Sequence, residues 1–203
     1  MNILAHAFVA APDPELMLGS LIGDFVRGAI DPALPPRVGA GIALHRAVDG
    51  YTDAHPEVAA ARALIAPPHR RYAGVLLDIW FDHLLAREWP RYGDGALDDF
   101  SRQVRELLHA RKALVPERMR GFVAYLDAHD LPAAYRDVVM IGAVLRGVSR
   151  RFTRENPVAS ALPVLIALAA PLERHFAAFF PDLERFAAAE RIRLRAPQTK
   201  TPP

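Results

Sequence analysis

The stretch VLLDIWFDHLL, residues 75–85, determines how the rest of the chain must pack. Its apolar residues recur all round a helix, which is typical of a helix surrounded by other helices. Asp78 and Asp82 interrupt this apolar surface one helical turn apart, so their side chains share one stripe. Because an unpaired buried charge costs several kcal/mol, buried carboxylates are normally paired or bound to metal. The segment therefore predicts a central helix whose two carboxylates face a cation.

His83 follows Asp82 directly and lies about 100° further round the same helix. The two residues can therefore ligate one ion, or lie on either side of a metal and its substrate. The alternative explanation is structural: the carboxylates form ion pairs with Arg46, Arg70 or Arg71, and His83 is a hydrogen-bonded core histidine. The spacing within this helix leaves both explanations open.

Further oxygen and nitrogen ligands lie upstream, in segments that are otherwise apolar. Asp24 lies in GSLIGDFVRG, His45 and Asp49 lie one helical turn apart in GIALHRAVDG, and His6 lies in NILAHAF. Carboxylates and imidazoles without thiolates suit Mg²⁺ or Mn²⁺, and also Zn²⁺ or Fe where imidazole dominates. Each pair alone also has a structural explanation, since Arg46 can pair with Asp49. Taken together, these residues favour a divalent metal site.

Apolar residues recur at spacings of three and four along nearly the whole chain, and no segment alternates with period two. Prolines fall mostly where first helical turns or helix stops are expected. The pattern predicts helices over residues 2–10, 14–27, 35–49, 56–65, 69–89, 97–110, 116–129 and 131–151, with a last helix from residue 171 to about residue 193. We therefore expect an all-α, single-domain helical bundle over residues 1–193, and a disordered tail over residues 194–203.

Composition excludes several other classes of function. The 203 residues carry a formal net charge of only +2, and the basic residues are scattered, so no nucleic-acid partner is expected. The absence of cysteine excludes disulfides, thiolate metal sites and cysteine nucleophiles. The start of the chain lacks a basic leader, and prolines break its most apolar window, residues 158–172, which is too short to span a bilayer. We expect a cytoplasmic protein without a membrane partner.

Five segments resemble, in order, the acyl carrier protein phosphodiesterase family: NILAHAFVA, LGSLIGDFVRG, LPPRVGAGIALHRAVDGYTDAHP, LLDIWFDHLLAREW and LRGVSRRF. The resemblance extends to about Phe152. That family is similar to a divergent, all-helical group of HD-domain metal-dependent phosphohydrolases, so the resemblance implies an HD-domain-like fold. The HD signature is an adjacent His-Asp pair, whereas this chain has the reversed order, Asp82-His83.

The resemblance implies hydrolysis of the phosphodiester that joins 4′-phosphopantetheine to a serine of holo-acyl carrier protein. It implies a divalent metal, with Mn²⁺ favoured and Mg²⁺ or Fe as alternatives. We predict Asp24, His45, Asp78 and Asp82 as metal ligands, with His6, Asp49 and His83 as further candidates. The implied catalytic residues are His83, His45 and Asp82, of which either histidine could protonate the serine leaving group.

Arginines are expected to bind the phosphate and the carrier protein. Arg146, Arg150 and Arg151 lie at i, i+4 and i+5 near the end of a predicted helix, where basic groups suit anionic oxygens. Arg27 and Arg46 are the other predicted substrate-binding residues. Because a carrier protein resembles a small acidic bundle, basic residues near the active-site mouth would steer it. The simpler explanation for these arginines is a solvated helix end.

Two other functions remain compatible with the sequence. One is a metal-dependent phosphohydrolase that acts on nucleotides or small phosphodiesters. The other is a non-enzymatic helical module that only binds a carrier protein. The sequence also leaves open whether the protein is a monomer or a homodimer.

Overall fold

The structure, a computed structural model, describes residues 2–195. All regular secondary structure in that range is helical. The helices are α1 (Ile3–Ala10), α2 (Pro14–Ile22), α3 (Pro36–Ala54), α4 (Pro56–Leu64), α5 (Ala73–Arg87), α6 (Trp89–Tyr92), α7 (Leu97–Ala110), α8 (Arg120–Ala128), α9 (Val138–Ser149), α10 (Leu162–Ala167) and α11 (Ala169–Arg193). Short 3₁₀ turns cover Gly23–Phe25, Arg70–Tyr72, Glu117–Met119, Ala133–Arg136 and Val158–Ser160. The prediction of an all-α bundle is confirmed.

Several predicted helices are shorter than expected because 3₁₀ turns replace one of their ends. The helix predicted over residues 14–27 ends at Ile22, where the Gly23–Phe25 turn begins. In the opposite direction, α3 continues past the predicted end at residue 49 to Ala54. The last helix contains Pro181 in its interior and still runs unbroken to Arg193. These differences arise at helix ends, where sequence patterns are weakest.

The central position predicted for α5 is confirmed by its burial. Eleven of its fifteen residues are buried, and it contacts α1, α4, α9 and α11. Phe81 packs against Phe176 and Phe179 of α11, with ring centroids 5.4 and 5.9 Å apart. Burying each such side chain stabilises the fold by roughly 1.5–3 kcal/mol. The buried apolar side chains of the described residues form one continuous core.

Polar side chains cap the N-termini of four of the helices. Each accepts hydrogen bonds from backbone N–H groups that have no partner within the helix. The caps are Asn2 for α1, Asp13 for α2, His55 for α4 and Asp137 for α9. Asp13 also binds Arg37 of α3, with Arg37 Nη2 donating to Oδ2 over 2.6 Å. This ion pair joins the first turns of α2 and α3.

Helices α2 and α3 approach so closely that their backbones touch. A Cβ atom added to Gly19 would lie 2.0 Å from the carbonyl oxygen of Val38, and one added to Gly41 would lie 2.2 Å from that of Leu16. Real Cβ atoms do not come so near to a backbone oxygen, so only glycine fits at either position. The contact places His45, one turn after Gly41, beside the end of α2.

No helix within residues 2–195 is long and apolar enough to cross a membrane. Of the predicted tail, Leu194 and Arg195 close α11 through backbone hydrogen bonds to Glu190 and Ile192. Residues 196–203 lie outside the described part of the chain.

The glycine contact predicts opposite effects for two substitutions in the same helix. Gly41→Ala would lower the free energy of unfolding by about 1–3 kcal/mol, because the new methyl group meets the backbone of α2. Gly50→Ala is the matched control: it lies in α3 with nothing within 4 Å, and would raise the free energy of unfolding by roughly 0.5–1 kcal/mol. Urea unfolding followed by circular dichroism measures both. Equal effects would contradict the close contact.

Candidate metal centre

Four of the predicted ligands converge where α1, α3 and the turn after α2 meet. His6 comes from α1, His45 and Asp49 come from α3, and Asp24 lies in the Gly23–Phe25 turn. His6 Nε2 lies 3.2 Å from Asp49 Oδ1, and His45 Nε2 lies 3.1 Å from Asp49 Oδ2 and 3.2 Å from Asp24 Oδ1. Within the described residues, His6, His45 and Asp49 form a group whose ligand atoms all lie within 4.8 Å of one another.

The imidazole of His45 is held from behind by the end of α2. Its Nδ1–H donates to the carbonyl oxygen of Ser20 over 2.8 Å, which turns Nε2 towards Asp24 and Asp49. A Cβ atom at Gly23 would lie 2.3 Å from His45 Cγ, so the absence of a side chain there lets the ring fit against the turn. A carbonyl bound to one ring nitrogen is the usual way of orienting a histidine that ligates metal through the other.

His6 stacks on His45, with ring centroids 3.9 Å apart and an angle of 20° between the ring planes. Within residues 2–195, neither of its buried ring nitrogens has a hydrogen-bond partner, and the contact of Nε2 with Asp49 lacks hydrogen-bond geometry. Burial lowers the pKa of His6 to about 4, against the effect of Asp49 and with that of the nearby His45. A neutral imidazole with unpartnered nitrogens is available to bind a cation.

The histidines and carboxylates of the cluster shift one another's pKa values. Burial lowers the pKa of His45, but hydrogen bonds and attraction from Asp24 and Asp49 outweigh it and raise that pKa to about 9. Hydrogen bonding to His45 lowers the pKa of Asp24. Burial opposes ionisation of Asp49, yet His45 and His6 hold its pKa well below the usual range. The cluster therefore carries negative charge that a cation, whether imidazolium or metal, must balance.

Asp82 is not brought into this cluster. It is fully buried, and its Oδ2 accepts the N–H of Leu4 over 2.7 Å, while Oδ1 accepts those of Ala5 and Asn2 over 3.2 and 3.3 Å. Burial raises the pKa of Asp82 to about 7, and these three amides oppose the rise. Both of its oxygens are thus engaged at the start of α1, which satisfies the buried carboxylate without a metal.

Asp78 and His83 also lie outside the group of close ligand atoms. Asp78 is half-buried, and burial raises its pKa. His83 is buried, and its Nδ1–H donates to the carbonyl oxygen of Tyr135 over 2.7 Å, beside the ring of Trp80. This is the hydrogen-bonded core histidine that the sequence left as the alternative. Burial lowers the pKa of His83.

A cleft with a volume of about 360 Å³ opens from the cluster. His6, His45 and Asp24 lie in its lining, together with Asn2 and Tyr135. Aromatic and aliphatic side chains form much of its walls, namely Ile3, Leu21, Phe25, Phe122, Tyr125, Val144 and Val148. Helix α8 supplies two of these side chains although Leu126 is its one fully buried residue. The cleft thus joins a polar centre to an apolar channel.

Of the four predicted substrate-binding arginines, only Arg150 lines this cleft. Its neighbour Arg151 lies there too, with its guanidinium carbon 5.4 Å from the centre of the Phe122 ring. Arg46 instead donates to the carbonyl oxygen of Val26 over 3.0 Å, while Arg27 and Arg146 are exposed outside the lining.

The sequence pattern does not single out the aromatic residues of the cleft. Phe122 and Tyr125 lie three residues apart on one face of α8, a spacing that equally suits a core contact. Tyr135 lies in the Ala133–Arg136 turn, and its hydroxyl accepts a hydrogen bond from Asn2 Nδ2 over 3.3 Å. Nothing in the local pattern distinguishes these residues from ordinary core residues.

The fold and the site define an all-helical protein with an imidazole and carboxylate centre at one end of a cleft that also carries arginine. A family model described as acyl carrier protein phosphodiesterase matches residues 1–183. The chain therefore belongs to the acyl carrier protein phosphodiesterase family. No solved structure matches the chain, and the HD-domain-like fold stays a prediction.

Three relatives illustrate the extent of the similarity. An acyl carrier protein phosphodiesterase of Yersinia pestis is 33% identical over 193 residues, covering 95% of this chain and 100% of the relative. Proteins of the same name from Serratia proteamaculans and Escherichia coli O157:H7 are 34% and 36% identical over 184 residues. These two matches each cover 90% of this chain and 95% of the relative.

The raised pKa of His45 predicts how the stability of the metal-free protein depends on pH. Protonated His45 stabilises the fold fully below pH 6.5, its unfolded value, and this contribution is lost as pH rises through about 9. We expect the free energy of unfolding in chelator to fall by up to about 3 kcal/mol between pH 6.5 and 9. His45→Asn retains a donor for the Ser20 carbonyl but no charge, and should lose most of this dependence. An unchanged pH profile in that variant would refute the assignment.

Proposed function

We propose that the protein hydrolyses the phosphodiester between 4′-phosphopantetheine and a serine of holo-acyl carrier protein, releasing apo-acyl carrier protein. The observation that carries this proposal is that the His6, His45, Asp24 and Asp49 cluster opens into a cleft with largely apolar walls. The polar centre suits a phosphodiester, and the cleft suits a thin, flexible arm. The names of the relatives support the same reaction.

We propose that His6, His45 and Asp49 hold a divalent metal, with Asp24 as a further ligand. Three features support the fit: the unpartnered nitrogens of His6, the Ser20 carbonyl behind His45, and the low pKa of both carboxylates. Nitrogen and oxygen donors without sulfur suit Mn²⁺, and also Mg²⁺ or Fe. Such an ion, when bound, supplies a water of lowered pKa and charge to balance the phosphate oxygens.

The other residues of the cleft would bind and orient the substrate. Arg150 and Arg151 supply positive charge and N–H donors for a phosphate. Burial raises the pKa of Tyr135, so its hydroxyl stays protonated and can donate to a substrate oxygen. Phe122 and Tyr125 offer apolar contact to the pantetheine arm and exclude water from it.

The carrier protein itself would dock at the mouth of the cleft. Arg150 and Arg151 are exposed there, and Arg118 reaches the same region by donating to the carbonyl oxygen of Phe25. An acidic partner would be steered to this basic rim, which raises the rate of association more than the affinity. A cytoplasmic location is part of the proposal.

Intact-mass measurement tests the reaction. The protein with Mn²⁺ should convert holo-acyl carrier protein to the mass of the apo form, and chelator should prevent the conversion. Asp49→Asn should lower the rate at least about a hundredfold, since it removes a proposed ligand. Asp53→Asn is the control, because Asp53 lies one turn further along α3, is exposed, and pairs with half-buried Arg62. Persistence of the arm, or hydrolysis of nucleotides instead, would overturn the proposal.

Charge reversal at Arg150 tests docking. Arg150→Glu should raise KM for holo-acyl carrier protein about tenfold or more, and should change KM for a small phosphodiester much less. Arg174→Glu provides a control at an exposed position outside the cleft. Equal changes for both substrates would show that Arg150 binds only the phosphate.

A further inference from the structure

The adjacent residues Asp82 and His83 of α5 bind two different segments that line the cleft. Asp82 accepts the backbone N–H groups of Asn2, Leu4 and Ala5 at the start of α1. His83 donates from Nδ1 to the carbonyl oxygen of Tyr135 in the turn between α8 and α9. The first contact is with the helix that carries His6, and the second is with the turn that carries the Tyr135 phenol.

The two segments also bind each other, which closes a ring of contacts. Asn2 donates from its side-chain amide to the Tyr135 hydroxyl over 3.3 Å. The ring therefore runs from Asp82 to Asn2, on to Tyr135, and back through His83 to the same helix. Both Asn2 and Tyr135 line the cleft. This part of the cleft lining is thus held by hydrogen bonds from two neighbouring residues of α5.

We propose that Asp82 and His83 are positioning residues that hold the Asn2 and Tyr135 side of the cleft in shape, and that neither binds the metal. The inference rests on the proposed function, because both segments belong to that site. The two residues share a helix but bind different segments, so they need not converge on one ion.

The contact of Asp82 acts on His6 through α1. This helix has eight residues, and a helix that short is marginal without tertiary contacts. Three of the N–H groups at its start have no partner inside the helix, and they donate hydrogen bonds to Asp82. The His6 N–H closes the next turn by donating to the Asn2 carbonyl over 3.1 Å. The position of the His6 ring beside His45 thus follows from where Asp82 holds the first turn.

The contact of His83 acts on Tyr135 through the backbone. The carbonyl of Tyr135 would be buried without a partner if the imidazole were removed, which costs about 1–3 kcal/mol at the turn. The turn could then shift and carry the phenol away from Asn2. Because His83 itself does not line the cleft, this effect reaches the substrate only through Tyr135.

Two substitutions of His83 separate positioning from ligation and from proton transfer. His83→Asn retains an N–H donor near the place of Nδ1, whereas His83→Ala retains none. We expect His83→Ala to lower kcat on holo-acyl carrier protein roughly tenfold to a hundredfold through misplacement, and His83→Asn to restore it to within about threefold. A loss of kcat that is equally large in both variants would overturn the proposal, since a ligand or general acid needs imidazole.

Metal binding provides the matching test for Asp82. In Asp82→Asn, one amide N–H of α1 faces an NH₂ group, so the affinity for Mn²⁺ should fall about tenfold while the number of ions bound per chain stays unchanged. Asp49→Asn, measured beside it by titration with Mn²⁺, should lose the ion. Loss of the ion in Asp82→Asn, with helical circular dichroism intact, would identify Asp82 as a ligand and refute its positioning role.

Hydrogen exchange distinguishes failure of this proposal from failure of the proposed function. In metal-free protein, Asp82→Asn should speed amide exchange over residues 3–10, and His83→Ala should speed it over residues 133–137. These measurements need neither substrate nor metal, so they hold even if wild-type protein leaves holo-acyl carrier protein intact. Unchanged exchange in both segments would overturn the ring of contacts.

Discussion

The backbone contact between α2 and α3 is the constraint on which the site depends. Because Gly19 and Gly41 have no side chains, the two helices lie close enough for the Ser20 carbonyl to reach the His45 ring. Gly23 then lets the Asp24 turn pass against the same ring. The orientation of the imidazole is therefore set by main-chain groups, which cannot change rotamer, and its Nε2 is directed at Asp24 and Asp49.

The molecule stabilises buried carboxylates in two different ways, and their acidities differ accordingly. Asp49 faces two imidazoles, one of them cationic in the absence of metal, and its pKa is held low. Asp82 accepts its hydrogen bonds from backbone amides, which oppose burial less effectively, and its pKa rises to about 7. Asp49 suits a metal centre, because a metal can replace the imidazolium as its counter-ion. Asp82 suits the fixing of a helix, because its partners are backbone amides.

The sequence predicts best what depends on residues close together in the chain. The apolar run of α5 is enough to predict a buried central helix, and the spacing of His45 and Asp49 is enough to place both on one face of α3. The partner of Asp82 has no such signal, because the amides that bind it lie about 80 residues away and every residue except proline carries one. Phe122 was missed for a similar reason, since an aromatic residue beside a cleft has the same helical spacing as one in a core. The ligand roles of His6, Asp24 and the other cluster residues stay predictions.

Helix α8 has a different relation to the core from the helices that carry the cluster. It buries only Leu126 completely, yet it supplies Phe122 and Tyr125 to the cleft. A segment with so little buried surface opens at a lower free-energy cost than α3 or α5. The cleft is thus bounded on one side by deeply buried helices that carry the polar centre, and on the other by a helix that can separate from the core at lower cost.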